Sequence, residues 1–162
     1  MKVLRWLVIA LVVVVASIAL VAFGARFADG PVAIFPGGPF ESGEWVPDAQ
    51  VDWTSAAGLE EIELQSGDPA RSRTTWILVV DGEAYVPCSL SFPPGKTWHH
   101  EALANPEAEA VVRVAGKRYR RRLVKVDDPA LEQRLAETVR AKYTAPPGSA
   151  GVWFFHLAAP TG

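Results

Sequence analysis

The feature that most constrains this chain is an apolar segment: Leu4 to Phe23 is broken only by Arg5 near its start and by Ser17. At ~1.5 Å per residue, a helix of that length spans about 30 Å, the hydrocarbon thickness of a bilayer. A cleavable signal peptide has a shorter apolar region, roughly 7–15 residues, followed by a small-x-small site. Ala22-Phe23-Gly24 meets that pattern imperfectly. The sequence therefore predicts an uncleaved transmembrane anchor over residues 1–28. Lys2 and Arg5 lie at the N-terminal end of the segment, and only Arg26 follows it before Arg71. That bias keeps the N-terminus in the cytoplasm and puts the remainder in a periplasmic or extracellular space, as a single-pass protein of the cell membrane. Trp6 and Phe27 fall where interface anchors are expected.

Charge divides the rest of the chain. Phe27 to Ala70 contains nine acids and no Lys or Arg, whereas Arg71 to Gly162 has thirteen basic residues against nine acidic ones. Seven of those bases lie between Arg113 and Lys125. A run of this kind reads as a solvated strand face, not a nucleic-acid footprint. Residues 29–58 hold Gly-Pro and Phe-Pro-Gly-Gly-Pro, too many breakers for regular structure. Ile34, Phe35, Trp45 and Trp53 are costly to leave in water, so this acidic linker is expected to pack on the domain that follows. Cys88 is the sole cysteine, so no intramolecular disulfide forms, and it reads as a strand residue.

Residues 59–162 alternate as strands do. Glu61 to Gln65 alternates, Thr75 to Val80 is rich in β-branched and aromatic residues, and Glu83 to Ser89 resumes after Asp81-Gly82. Asp-Gly between two such runs is a hairpin signal, because both turn residues take positive φ. Ala110 to Val114 and Lys117 to Val126 form a second pair around Ala115-Gly116. Val152 to Ala158 is the last strand, with Trp153, Phe155 and Leu157 on one face and Phe154 and His156 on the other. A short helix is predicted from Lys96 to Ala104, stopped by a left-handed Asn105 and by Pro106. A longer one starts at Asp128-Pro129, runs to about Tyr143 with Leu131, Leu135 and Val139 on one stripe, and ends at Ala145-Pro146-Pro147-Gly148. The expected class is α+β: a six-stranded antiparallel split β-barrel with two helices, preceded by the transmembrane helix.

The chemistry-bearing residues are few. Arg71, Arg73 and the hydroxyls of Ser72, Thr74 and Thr75 suit an anion such as a cofactor phosphate. Lys96, after Pro93-Pro94-Gly95 and at a helix start, is placed to join them. Trp76, Tyr85 and Trp98 offer walls for a planar ring, although core packing explains them equally well. His99 and His100 point about 100° apart on a helix and cannot chelate one ion together, and no metal-ligand spacing occurs. There is no Gly-x-Ser-x-Gly elbow, no phosphate loop of the nucleotide-hydrolase kind and no Gly-x-Gly-x-x-Gly after a strand. No residue declares itself as an acid, base or nucleophile, so no catalytic residue is assigned.

The order of segments carries a resemblance. Ile62-Glu63-Leu64, Arg73-Thr74-Thr75-Trp76, Asp81 to Val86, Lys96-Thr97-Trp98-His99, Asn105-Pro106, Val112 to Val114, Gly116 and Tyr119 together resemble the pyridoxamine-phosphate-oxidase-like split barrels, including the deazaflavin-dependent nitroreductase branch. The likeness covers Leu59 to Val126, with Val152 to Ala158 as the closing strand. It implies FMN or a reduced deazaflavin in a groove between two barrels of a homodimer, with the cofactor carrying out reduction of a small organic acceptor. By position, Arg73 and Thr75 would hold phosphate with Lys96, and Tyr85, Ser89 and Trp98 would line the ring or its linker. The loop Ser89 to Gly95 is bulkier and less polar than the family's phosphate-contacting loop. That leaves open a barrel without catalysis, which binds a small anionic ligand or a protein partner.

Overall fold

The computed structural model describes residues 2–48, 51–144 and 151–161. The apolar segment forms helix α1 (Lys2–Ala25), exposed along its length until Ala25. Seven strands of an antiparallel sheet follow: β2 (Glu61–Ser66), β3 (Arg71–Trp76), β4 (Leu78–Val80), β5 (Glu83–Ser89), β6 (Glu109–Val114), β7 (Lys117–Lys125) and β8 (Val152–Ala158). An eighth strand, β1 (Glu44–Trp45), precedes them and lies parallel to β7. Helix α2 (Trp98–Ala104) lies between β5 and β6, and α3 (Pro129–Lys142) between β7 and β8. The strand order is β3-β2-β6-β7-β8-β5-β4. Its two outermost strands are consecutive in the chain with only Ile77 between them, so one segment pairs with β2 through its first half and with β5 through its second.

Eight strands replace the expected six for two reasons. The Thr75–Val80 run is divided at Ile77, whose side chain is fully buried where the chain changes partners. The linker, expected to lack regular structure, also contributes β1. Both tight turns take the expected backbone, with φ of 54° and 82° at Asp81-Gly82 and 48° and 76° at Ala115-Gly116.

Two helix boundaries are corrected. Helix α2 begins at Trp98 instead of Lys96, with Thr97 as its cap. Asn105 is not left-handed: its φ is −137° and ψ 76°, because the following Pro106 excludes compact conformations at the residue before it. Helix α3 starts as expected, with the Asp128 carboxylate accepting from the Ala130 N–H at 2.9 Å and Pro129 opening the first turn. The stop proposed at Ala145 to Gly148 lies outside the described residues.

The sheet has a core on each face. Ile62, Leu64, Ile77, Val86, Val112, Leu123, Phe155 and Leu157 pack on one side, where Trp98 from α2 and Trp53 from a 3₁₀ turn (Trp53–Ala56) join them. Leu78, Tyr85, Val126 and Phe154 pack on the other, under Leu135, Val139 and Tyr143. The alternation of β8 divides its residues between the two, with Phe155 and Leu157 in one core and Phe154 in the other.

The basic run Arg113–Lys125 is not simply a solvated face. Arg113 donates to Asp29 at 2.7 Å and to Glu63 at 2.5 Å, and its guanidinium lies 4.3 Å from the Phe40 ring centroid. Arg118 donates to the carbonyls of Gly43 at 2.9 Å and Phe40 at 3.1 Å. Arg121, only 3% exposed, pairs with Asp48. The acidic segment from Asp29 to Asp48 is thus strapped across the sheet by these arginines. Ser72 adds a hydrogen bond to the Gly38 carbonyl at 2.6 Å, and Gly37 has no room for a side chain against the Gly30 carbonyl. Ile34, expected to pack, is instead 88% exposed.

Candidate functional site

A cavity of about 210 Å³ opens between the β2–β3 turn, α2 and the start of β6. Trp98, Ala102, Ala110 and Leu123 give it an apolar lining, and Ser66, Asp68, Glu101, Asn105 and Glu109 supply its polar groups. The antiparallel β2–β3 register brings Ser66 opposite Arg71, so Arg73 lies beside this turn. Its guanidinium donates to Ser66 Oγ at 2.8 Å and, more weakly, to the Arg71 carbonyl at 3.4 Å. Its carbon stands 5.4 Å from the centroid of the Trp98 ring.

Burial is the main influence on the Arg73 guanidinium, lowering its pKa to about 10, while the negative charge of Glu101 opposes the shift. It remains a cation at neutral pH. Among the described residues no carboxylate lies within ion-pair distance of it. A half-buried charge with so little compensation is costly unless an anion completes its shell.

The other expected site residues divide into two groups. Ser89, Lys96 and Trp98 lie with Arg73 toward the end of β5, and both Arg73 and Lys96 are near enough to Cys88 to favour its thiolate. Burial outweighs them and pushes that thiol up to about 11, in keeping with the place of Cys88 in the core. Lys96 does not extend from a helix start; its ammonium is held by the carbonyls of Ser89 and Phe92 within its own loop. Thr75 is half-buried opposite Ile62 in the β2–β3 register.

Trp76 and Tyr85 go elsewhere, into the core beneath α3. Trp76 stacks on Tyr143 and Tyr85 packs with Leu78 and Phe154, so neither stands with Trp98. The three histidines hold no common site. His156 pairs with Glu83 at 2.9 Å, and His99 is buried against Trp98, His100 and Trp153 with its Nδ1 lacking any partner. Burial, with the charges of His100 and Lys96, holds the His99 pKa below its ordinary value.

Sequence reasoning missed Ser66, Asp68, Glu101 and Glu109. They meet only because strand pairing folds the β2–β3 turn onto α2 and β6, and nothing local marks them.

The architecture and this cavity define an antiparallel α+β sheet domain with an N-terminal apolar helix and one polar-rimmed pocket beside a desolvated arginine. No protein-family model matches the chain, and no curated protein matches it. Among solved structures it is similar to a Listeria innocua protein described as "Putative Pyridoxamine 5'-phosphate oxidase", at 17% identity and a TM-score of 0.44, over 61% of this chain and 82% of that one.

Proposed function

We propose that this chain is a membrane-anchored split-barrel protein that binds an anionic ring cofactor, FMN or a reduced deazaflavin, at the Arg73–Trp98 end of its barrel. The observation carrying this reading is the Arg73 guanidinium: desolvated, cationic, without a carboxylate partner, and set beside an aromatic ring at the edge of a cavity. In this reading the shared β3–β4 segment closes the sheet into a barrel through Ile77, and α1 is an uncleaved anchor with the domain outside the cytoplasm.

The residues fit such a group at the following points. The cavity admits a ring-sized moiety against Trp98 and Leu123 but is smaller than the roughly 300 Å³ at which sites for whole drug-sized ligands begin. Three carboxylates at its rim, Asp68, Glu101 and Glu109, repel a phosphate, so the phosphate-bearing tail would lie outside it, toward Arg73. Ser66 orients the guanidinium, and Trp98 screens it from water. A bound flavin or deazaflavin would supply the redox-active ring; this chain's residues would bind and shield it. Homodimerisation, which places such cofactors between two barrels in the family resembled, is part of the proposal.

A second reading has its own support. Lys96 is engaged by carbonyls of its own loop, and Trp76 and Tyr85 are used in the core, which reduces the expected cofactor set to Arg73, Ser89, Trp98 and Thr75. A barrel that holds a smaller anion or a protein partner without catalysis matches that reduction. Absorbance of the detergent-purified protein, followed by titration with FMN and with reduced deazaflavin, separates the two. A protein that is colourless and binds neither contradicts the cofactor reading.

A further inference from the structure

We propose that the loop joining α1 to the sheet is a second membrane contact, with its tip residues Val32 to Phe35 seated in the outer headgroup layer. This rests on the reading of α1 as an anchor. The loop is closed on itself at the helix terminus. The last helical turn continues through Arg26, Phe27 and Ala28, which donate to the carbonyls of Phe23, Gly24 and Ala25. Gly38 then donates to the Ala28 carbonyl at 3.0 Å, so residues 29–37 leave from and return to one point.

That point is held to the domain by three independent contacts. The Arg71 guanidinium donates to the Arg26 carbonyl at 3.3 Å, Ser72 binds the Gly38 carbonyl, and Arg113 binds Asp29. No slack tether therefore separates helix from domain. With at most ~3.6 Å per residue, the tip lies within about 20 Å of the end of the span.

What the loop exposes there is apolar. Val32 and Phe35 pair across a tight turn, exchanging backbone hydrogen bonds of 3.1 and 3.0 Å, with Ala33 in the left-handed region. Ile34 at the apex is 88% exposed and Phe27, beside the helix end, 76%. Leaving both in water forfeits the burial energy of two large side chains. Arg26 and Arg71 meet at the same junction, and among the described residues neither has a carboxylate within ion-pair distance. An apolar tip near the Arg71 guanidinium, which is hydrogen-bonded to the helix end at Arg26, and continuous with a membrane span, fits a bilayer surface with anionic headgroups.

The test uses the full chain in lipid nanodiscs. Ile34→Cys is labelled with an environment-sensitive fluorophore and compared with Glu137→Cys on exposed α3. The buried Cys88 of the parent serves as the labelling control. With lipids carrying shallow spin labels, the fluorophore at position 34 should show a blue shift and several-fold stronger quenching than at position 137. Adding phosphatidylglycerol to phosphatidylcholine should increase the quenching, and Arg71→Ala should remove the increase. Equal, water-like signals at both positions in a chain of intact mass overturn the membrane contact alone. A shortened mass, with the domain released in carbonate, overturns the anchor reading and this inference with it.

Discussion

Trp76 and Tyr143 stack face to face, their ring centroids 4.1 Å apart and their planes within 4° of parallel. The Tyr143 hydroxyl beyond the stack accepts from the Ile77 N–H at 3.1 Å and lies 2.7 Å from the carbonyl oxygens of both Glu60 and Ile77. One tyrosine at the end of α3 thus fastens the residue at which β3 becomes β4.

Tyr143→Phe keeps the stack and removes the hydroxyl. It leaves the Ile77 N–H without its acceptor, and an unmet buried donor costs about 1–3 kcal/mol. Urea unfolding should show a loss in that range with an unchanged slope, since the surface exposed on unfolding is the same.

Arg113 is the clasp of the strap, with Asp29, Glu63 and the Phe40 ring around its side chain. Arg113→Ala should cost about 1.5–3 kcal/mol, the range for hydrogen bonds to charged groups. Limited proteolysis should then cut between Gly30 and Val46, where the parent resists. The Asp29 pKa is held down to about 2, chiefly by the Ser42 hydroxyl and then by the Glu41 N–H and Arg113. A folded pKa below the ordinary value means its contribution is present above about pH 4 and lost as pH falls toward 2. Acid should therefore loosen the parent's strap as the substitution does at neutral pH.

Stability at the alkaline end should fall from about pH 9. Burial raises the Cys88 thiol from 9.0 to about 11 and the Tyr143 phenol from 10.0 to about 12. Both keep protons that the unfolded chain releases, so rising pH favours unfolding. Arg73 acts oppositely from about pH 10 upward, because its folded pKa is lowered. Between pH 9 and 10 the Tyr143 and Arg73 contributions are smaller and opposed, and the Cys88 contribution is the largest of the three at about 1 kcal/mol. Melting temperatures across that window should fall more steeply for the parent than for Cys88→Ala.

Much of the architecture was legible because it is written in short-range chemistry. Asp81-Gly82 and Ala115-Gly116 set the two turns, Asp128-Pro129 opens α3, and the alternation of Trp153 to Leu157 divides one strand between two cores. What local pattern could not supply was partner choice. Trp76 and Tyr85 have the same aromatic character as Trp98, and only the packing of α3 shows that they face away from it. Lys96 is engaged by two carbonyls of its own loop, which its sequence position does not show. The arginines of β6 and β7 looked solvated because their partners, from Asp29 to Asp48, lie about 70 to 85 residues away in sequence. Among the described residues neither Arg73 nor Lys96 has a carboxylate within ion-pair distance; Lys96 is met by carbonyls of its own loop, and Arg73 by Ser66 and the Trp98 ring beside the cavity.

The most direct test of the central claim is therefore a binding titration of detergent-purified full-length protein with FMN and with reduced deazaflavin, for the parent, Arg73→Ala, Arg73→Lys and Lys96→Ala. Arg73→Ala should weaken binding by about 1.5–3 kcal/mol, as expected for a charge-assisted contact. Arg73→Lys should recover little, since an ammonium lacks the forked geometry. Lys96→Ala should change affinity by less than about 1 kcal/mol, because its half-buried ammonium is already engaged by the carbonyls of Ser89 and Phe92. A parent that binds neither cofactor, or an Arg73→Ala protein that binds as the parent does, contradicts the assignment.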